Sequence, residues 1–453
     1  MEIAGKQLYH FTNSQDVIQL QSKYALFKRV LNILFSLTFD EGFDEALMCQ
    51  AIDLLYERHD CLRLRFVKQG KETMQYFEAE RKSGKIPSLR FETNGAFDAF
   101  FRRFRRKPTD VAKGDVLRVV FAVNPEGKQM VICKISHYVA DTYGIGILVN
   151  DLMGIYAALR DGKELPPAPG SFEEIVRKDN EFRNDAAATE RDRAFFHDYY
   201  FNRHGDSHPV YCGQHGNKDD HWLKFKRKGE FSNSYLFIRC DTEPYEFALP
   251  KSITLDAQQW CADHGISLNT FFMMAFTLTL SLLNDRETRL CSVEILNCRG
   301  TLADRRTAGT KATGLTVRTD IDYDKSFREN AAALFEEQQE IYRHTRLTYL
   351  ETEVMQHEAW KFSMLRCLIC SGFSYIPYQS QPGVRFQLHS NGKGALTTYV
   401  AIMHDVVNNE ISINYDVQRL RITPVQLIDF QSLYIRVMEK VLARPDTPLK
   451  EIV

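Results

Sequence analysis

The sequence predicts an α/β protein of two lobes, each with a mainly antiparallel or mixed sheet covered by helices. Apolar runs typical of strands alternate with amphipathic helical segments in both halves of the chain. The chain has 453 residues, whereas a typical domain holds about 150. A polar helical stretch that starts near Ala168 separates the halves. We therefore expect an N-terminal lobe at residues 1–170 and a C-terminal lobe at residues 171–453.

The first half shows both periodicities clearly. Strands follow from the alternation of apolar and polar side chains, and helices follow from apolar stripes at 3.6-residue spacing. Asn124 to Gly127 has the composition of a hairpin turn, and Gly162 ends a helix. These patterns predict strands at residues 30–39, at 61–67 and in both arms of 116–136, with helices at 43–59 and 144–159.

Capping signals mark the helices of the second half. Ser326 and Glu329 form a capping box. Thr423 and Pro424 supply an N-cap and a first helical residue, and Gly265 ends an earlier helix. These signals predict helices at residues 255–264, 268–283, 326–344 and from 424 onward, with strands at 289–299, 398–407 and 410–417.

Composition narrows the possible functions. The formal net charge is −1, which gives no general attraction to nucleic acid or to anionic membranes. The N-terminus lacks the profile of a signal peptide, and the longest apolar stretch, residues 267–283, is short and contains Ser and Thr. The ten cysteines are scattered, and the C-x-x-C pair at 367–370 has apolar flanks typical of a buried strand. We expect a soluble cytoplasmic protein with reduced cysteines that binds neither nucleic acid nor membrane.

The segment "ICKISHYVADTYGIG" contains the strongest candidates for catalytic residues. His137 continues the apolar face of a strand where the strand gives way to a loop, and Asp141 precedes a helix. A partly buried imidazole tends to stay neutral, as a general base near pH 7 requires. The same spacing also fits a satisfied core histidine and an N-cap aspartate. Two residues in one loop do not make a metal site.

Several segments together resemble the condensation domains of nonribosomal peptide synthetases. "SHYVADTYGIG" is similar to the H-H-x-x-x-D-G motif, whose H-x-x-x-D core is shared with chloramphenicol acetyltransferase and other coenzyme-A-dependent acyltransferases. "ERHDCLRLRF" looks like the R-H-x-x-L-R-x-x-F segment of that family. The resemblance extends to "VEILNCRG" and to the C-terminal tail, and it covers roughly residues 20 to 453. It implies a stand-alone member with two chloramphenicol-acetyltransferase-like lobes in a V-shaped pseudo-dimer.

The resemblance also implies roles for the residues of the loop. His137 falls on the catalytic or substrate-orienting histidine, and Asp141 on a structural aspartate that pairs with an arginine. Arg58 is the expected partner of that ion pair. The Ser136 hydroxyl or backbone N–H groups after Asp141 are expected to stabilise an oxyanion.

Two positions depart from the motif, and three more are expected near the substrate. Ser136 replaces the first histidine, and Thr142 replaces the glycine. A β-branched Thr142 is not expected to adopt a positive φ. Substrate contacts are expected from Tyr138, Asn297 and Arg299, and Arg299 fits a structural ion pair equally well.

The implied activity is acyl transfer in specialised metabolism, such as nonribosomal peptide synthesis. An acyl thioester on phosphopantetheine, held by a carrier protein or by coenzyme A, would be joined to a small amine or hydroxyl acceptor in a tunnel between the lobes. No metal and no permanently bound cofactor is implied. One alternative is a coenzyme-A-dependent O- or N-acyltransferase acting on a free small molecule. Another, favoured by Ser136 and Thr142, is a catalytically silent module that binds carrier proteins.

Two further stretches have more than one interpretation. Residues 100–108, "FFRRFRRKP", fit either a solvated helix whose phenylalanines face the core or a docking face for an acidic carrier protein or coenzyme A phosphates. Residues 197–221 hold five histidines with irregular spacing, which favours a surface loop over a metal site.

Overall fold

The helices and strands of the computed structural model confirm the predicted α/β class. The structure describes residues 2–3, 5–80, 83–204, 240–359, 371–394 and 396–453. In chain order the strands are β1 (Glu2–Ile3), β2 (Lys6–Gln7), β3 (Asn32–Phe39), β4 (Leu64–Gln69), β5 (Glu72–Phe77), β6 (Ser88–Arg90), β7 (Leu117–Val123), β8 (Gln129–Ser136), β9 (Thr242–Ala248), β10 (Arg289–Leu296), β11 (Thr313–Asp320), β12 (Ser371–Tyr378), β13 (Val384–His389), β14 (Thr398–Asp405) and β15 (Glu410–Gln418).

The helices occupy the segments between these strands. In chain order they are α1 (Asn13–Tyr24), α2 (Glu45–Arg58), α3 (Asn94–Arg106), α4 (Thr142–Asp161), α5 (Phe172–Arg183), α6 (Ala186–His197), α7 (Lys251–His264), α8 (Leu268–Leu283), α9 (Leu302–Arg305), α10 (Phe327–Ile341), α11 (Tyr349–Ala359), α12 (Pro424–Ala443) and α13 (Leu449–Ile452).

The predicted capping residues act as expected. The Ser326 and Glu329 side chains form the capping box of α10, and Thr423 caps α12, which begins at Pro424. Gly162 and Gly265 end α4 and α7 in the left-handed conformation, with φ of 64° and 65°. These local signals were readable because each depends on a few neighbouring residues.

The strands form two larger mixed sheets. One has five strands in the order β13-β3-β8-β7-β6, in which only β6 and β7 are parallel to each other. The other has six strands in the order β11-β10-β12-β14-β15-β9, in which β10 and β12 are parallel. The mixed sheets that the sequence predicted are therefore present.

The described residues group into two compact units. The first comprises residues 1–189, 297–312 and 378–391, and the second comprises 190–296, 313–377 and 392–453. The first unit contains the five-stranded sheet, which gains β13 from late in the chain. These units do not test the predicted lobe boundary between residues 170 and 171, which stays a prediction.

Two strands begin later than predicted. Residues 28–31 form a 3-10 turn before β3, and residues 60–63 form another before β4. The C-x-x-C pair at 367–370 lies outside the described residues, as do the histidines at 208, 215 and 221. Where the structure describes the chain, no group of His, Cys, Asp or Glu side chains is placed to hold a metal ion.

The most apolar helices are core helices. Twelve side chains of α8 are buried, which confirms the predicted buried helix. Only α4 is long and apolar enough by itself to cross a membrane, among the described residues, and α7 with α8 meets the same criteria as a pair bent by 112°. The apolar stripe of α4, which includes Ile145, Leu148 and Leu152, is buried in the core of the first unit.

Candidate active site

His137 lies directly after the central strand β8. Val131, Cys133 and Ile135 face the main core of the first unit, while Met130 and Ile132 face a second cluster on the other side of the sheet. The His137 backbone is held from two directions. Its N–H donates to the Leu31 carbonyl at 2.7 Å, and its carbonyl accepts a hydrogen bond from the Thr310 hydroxyl. The imidazole is therefore carried by a fixed main chain.

The imidazole itself is half-buried. Its Nδ1 is shielded from solvent and has no hydrogen-bond partner in another described residue. Burial lowers the pKa of His137 below its usual 6.5, although its own backbone and the Asp141 carboxylate act in the opposite direction. The ring is accordingly neutral at pH 7 and can accept a proton.

Asp141 is buried at the start of α4 and pairs with Arg299. Its Oδ1 accepts from the Gly144 N–H at 2.7 Å, which caps the helix. Arg299 donates Nη1 to Oδ2 at 2.9 Å and Nη2 to Oδ1 at 3.1 Å. Burial alone would raise the pKa of Asp141, but the Arg299 guanidinium and the N–H donors hold that pKa below its usual value. The carboxylate is therefore ionised and fully occupied in a structural role.

This ion pair joins the histidine loop to residues 297–312. The backbone N–H groups of Lys311 and Ala312 each donate to Asp141 Oδ2 at 2.8 Å. Arg299 Nη2 also donates to the Gly309 carbonyl at 2.8 Å. An added Cβ at Gly144 would lie 2.8 Å from that carbonyl, so the start of α4 contacts this segment closely. Asp141 thus fixes both sides of the loop.

The expectation that Arg58 pairs with Asp141 is wrong. Arg58, at the end of α2, donates Nε and Nη2 to Asp151 at 2.8 and 2.9 Å. It also binds the carbonyls of Pro166 and Pro167. Because α2 packs alongside α4, the end of α2 reaches the middle of α4, and Asp141 lies at its beginning. Arg58 is a structural ion-pair residue, with a different partner.

The two departures from the motif are both accommodated. Ser136 is buried as the last residue of β8, and its hydroxyl oxygen accepts from the Tyr138 N–H at 3.4 Å. Thr142 is the first residue of α4 and does not have a positive φ, as expected.

The residues expected to contact substrate have other surroundings. Tyr138 is 3% exposed, contacts Phe11 and Phe66, and donates its hydroxyl to Gln19 at 2.6 Å. This position favours a packing role. Asn297 is exposed, and its side chain accepts from the Arg299 N–H at 3.0 Å.

Arg299 takes the second of the two roles considered for it, the structural ion pair. Its side chain is 1% exposed. The guanidinium lies 4.8 Å from the centre of the Tyr143 ring. Gly309 and Thr310 were not predicted as site residues. Their only sequence signal is the run of small residues "TAGT" that follows two arginines.

Comparisons with known proteins find similarity to condensation domains. Residues 6–205 match the family model described as Condensation domain. The fold agrees over nearly the whole chain with the condensation domain of the Monacolin K polyketide synthase MokA, at TM-score 0.82 and 14% identity, covering 98% of this chain and 99% of that one. The resemblance stated from the sequence is confirmed.

Other relatives agree with this. The starter condensation domain of rhizomide synthetase RzmA, solved as a variant in complex with C8-CoA, has TM-score 0.79 and 18% identity and covers 99% of this chain and 98% of that one. Surfactin synthase subunit 1 of Bacillus subtilis is 21% identical over 75% of this chain and 9% of its own length. The hybrid PKS-NRPS synthetase pvhA of Talaromyces variabilis is 23% identical over 38% of this chain and 4% of its own. The chain spans less than a tenth of the length of these curated relatives.

Proposed function

We propose that this chain is a condensation-type acyltransferase. It joins an acyl group held as a phosphopantetheine thioester to an amine or hydroxyl acceptor. The observation that carries the proposal is the position of His137, half-buried at the end of β8 in a loop that the Asp141–Arg299 pair fixes. The match of residues 6–205 to the Condensation domain model supports it.

In this reaction His137 acts as the general base. The acceptor nitrogen or oxygen attacks the thioester carbonyl while its proton passes to the imidazole, and a tetrahedral intermediate forms. The carbon–sulfur bond then breaks, and the thiolate recovers the proton from His137. A positioned base of this kind accelerates such a step by about 10²–10⁴-fold.

Asp141 is a positioning residue, because its carboxylate oxygens are used by Arg299 and by three backbone N–H groups. The first N–H groups of α4, at residues 142 and 143, remain the proposed donors to the oxyanion, since the first turn of a helix leaves its amides free. The Ser136 hydroxyl is a weaker candidate, because it is buried beside the Tyr138 N–H.

The acyl donor is proposed to be a thioester of a carrier protein or of coenzyme A. A purely binding module is the second candidate, because Ser136 stands where the family has its first histidine. The intact Asp141–Arg299 pair and the lowered pKa of His137 favour the enzyme.

A mass-spectrometric screen tests the proposal. The purified chain is incubated with acyl-pantetheine thioesters and a panel of amines and alcohols, and amide or ester products are sought. We expect product with the wild type and with His10→Ala, a matched control at an exposed histidine. Product at equal rates with His137→Ala would overturn the proposed base, and no transfer with any donor would favour the binding module.

A further inference from the structure

The helix α3 has two opposite faces of different chemistry. Its phenylalanines pack on the outer face of the five-stranded sheet, where Val120, Ala122, Met130 and Ile132 are buried. This confirms the expected helix whose aromatic side chains face a core. The aromatic residues packed there are Phe91, Phe97, Phe100, Phe101 and Phe104. The opposite face of the helix is left to solvent.

The C-terminal end of that solvent face, with the residue that follows the helix, is strongly basic. Arg102, Arg103, Arg106 and Lys107 are exposed, and we call these four residues the basic face. Their side chains have no ion-pair or hydrogen-bond partner in the part of the chain that the structure describes.

The basic face places like charges close together, with the exposed Asp98 four positions before Arg102 as the nearest acidic residue of the helix. Arg102 and Arg106 are four positions apart, a spacing at which like charges on a helix destabilise it. Arg103 and Arg106 lie in the last turn of α3, where the helix dipole favours cations, whereas Arg102 lies before that turn. The net charge of the whole chain is −1, so this local excess does not follow from composition.

The C-terminal end of α3 lies at the same end of the sheet as His137. The Lys134 Nζ, buried on β8, donates to the carbonyls of Phe104 and Lys107 at 2.6 and 2.7 Å. Thr109, just past the helix, donates its hydroxyl to Asn32 Oδ1 at 2.7 Å. Asn32 is the strand partner of Ser136, the residue before His137. The basic face is thus attached to the strands that carry the candidate base.

We infer that the basic face is the docking surface for an acidic carrier protein that delivers the acyl thioester. This inference rests on the proposed function, because it names the form in which the donor arrives. A small-molecule site is concave and encloses most of its ligand. The exposed side of a single helix provides charge without enclosure, which suits the acidic surface of a protein better than free coenzyme A.

The test measures binding with two donors that carry the same acyl group. The probes are octanoyl-coenzyme A and an octanoyl-loaded acyl carrier protein of strongly negative net charge. The variant is Arg102→Glu/Arg106→Glu. The matched control is Arg436→Glu/Lys440→Glu on α12, where two exposed cations with no partner among the described residues have the same four-residue spacing.

We expect the Arg102→Glu/Arg106→Glu variant to bind the loaded carrier at least about tenfold more weakly at low salt, with octanoyl-coenzyme A binding unchanged. The control should bind both probes as the wild type does. Thermal unfolding of each variant checks the fold, and Arg102→Gln/Arg106→Gln should show a smaller loss in the same direction.

Three results would overturn the inference: no carrier binding by the wild type, equal carrier binding by the variant, or an equal loss for octanoyl-coenzyme A. Binding also separates docking from catalysis. His137→Ala should bind the carrier normally while it loses activity. A wild-type chain that binds the carrier through the basic face but transfers no acyl group would contradict the proposed function and leave the docking surface intact.

Discussion

Arg299 and Asp141 are 158 positions apart in the chain, yet they are joined by two hydrogen bonds of 2.9 and 3.1 Å in the interior of the first unit. Both side chains are almost completely shielded from solvent, with 1% and 3% exposed. The pair connects the loop of the candidate base to a segment that arrives from much later in the sequence. Several outcomes depend on it.

Removing one member of this pair should be costly. Arg299→Met leaves a buried carboxylate without its counter-ion, and we expect a loss of about 3–5 kcal/mol in the free energy of unfolding. The double variant Arg299→Met/Asp141→Asn should lose less than the sum of the single changes. Urea unfolding measures both.

Arg58→Met is the matched control for this series. Arg58 forms the same type of pair with Asp151, but these side chains are 14% and 10% exposed. Its loss should therefore be smaller. If Arg58→Met and Arg299→Met lower the free energy of unfolding equally, the greater burial of the Asp141–Arg299 pair does not make it the more important pair for stability.

Gly309 should not tolerate a side chain. Its φ is +141°, and an added Cβ would lie 2.2 Å from the Phe172 ring. Gly309→Ala is expected to destabilise the protein by about 1–3 kcal/mol through overpacking. Gly146→Ala, in the interior of α4 with nothing within 4 Å of the added atom, should instead stabilise it by about 0.5–1 kcal/mol. Calorimetry measures both melting temperatures. If Gly309→Ala and Gly146→Ala shift the melting temperature in the same direction, the close packing described at Gly309 is contradicted.

Thr310 should act on catalysis through the position of His137. Thr310→Val removes the hydroxyl that donates to the His137 carbonyl. A lost hydrogen bond of about 0.5–1.5 kcal/mol corresponds to a fall in kcat of up to about tenfold, with KM little changed. Thr310→Ser, which keeps the hydroxyl, should restore kcat. If Thr310→Val changes only the stability of the protein, or if Thr310→Ser does not restore kcat, Thr310 does not position His137.

The pH dependence should report the environment of His137. Only the neutral imidazole accepts a proton, and burial lowers the pKa of His137 below 6.5. The acidic limb of kcat/KM with an alcohol acceptor should therefore lie below pH 6.5. Asp141→Asn removes a charge that raises this pKa, so the limb should move to still lower pH in that variant. Resonances of the His137 ring followed by NMR provide the same pKa directly, and a value above 6.5 would contradict the buried base.

Local features of this chain were predictable from sequence, whereas distant pairings were not. The caps at Ser326 and Thr423 depend on residues three positions away, and the capping residues matched the structure. The pairing of Asp141 depends on which arginine the fold brings to it. Arg58 lies within the segment that resembles R-H-x-x-L-R-x-x-F, but the arginine that the fold places beside Asp141 is Arg299.

Two other features could not be read from patterns. The strand β13 joins β3 across more than three hundred residues, and nothing in its composition identifies its partner. Lys134 occupies an apolar position of β8, and its partners are carbonyls of a helix that only the tertiary structure places above it. Periodicity describes faces, but it does not say which element covers them.

The measurement that tests the account most directly is the single-turnover rate of acyl transfer by His137→Ala, compared with His10→Ala and the wild type at saturating donor. We predict that His137→Ala is slower by about 10²–10⁴-fold while its unfolding transition is unchanged or nearly so. His10→Ala should match the wild type. A His137→Ala rate within a few-fold of the wild type would show that the imidazole is not the base, and the proposed chemistry would have to be abandoned.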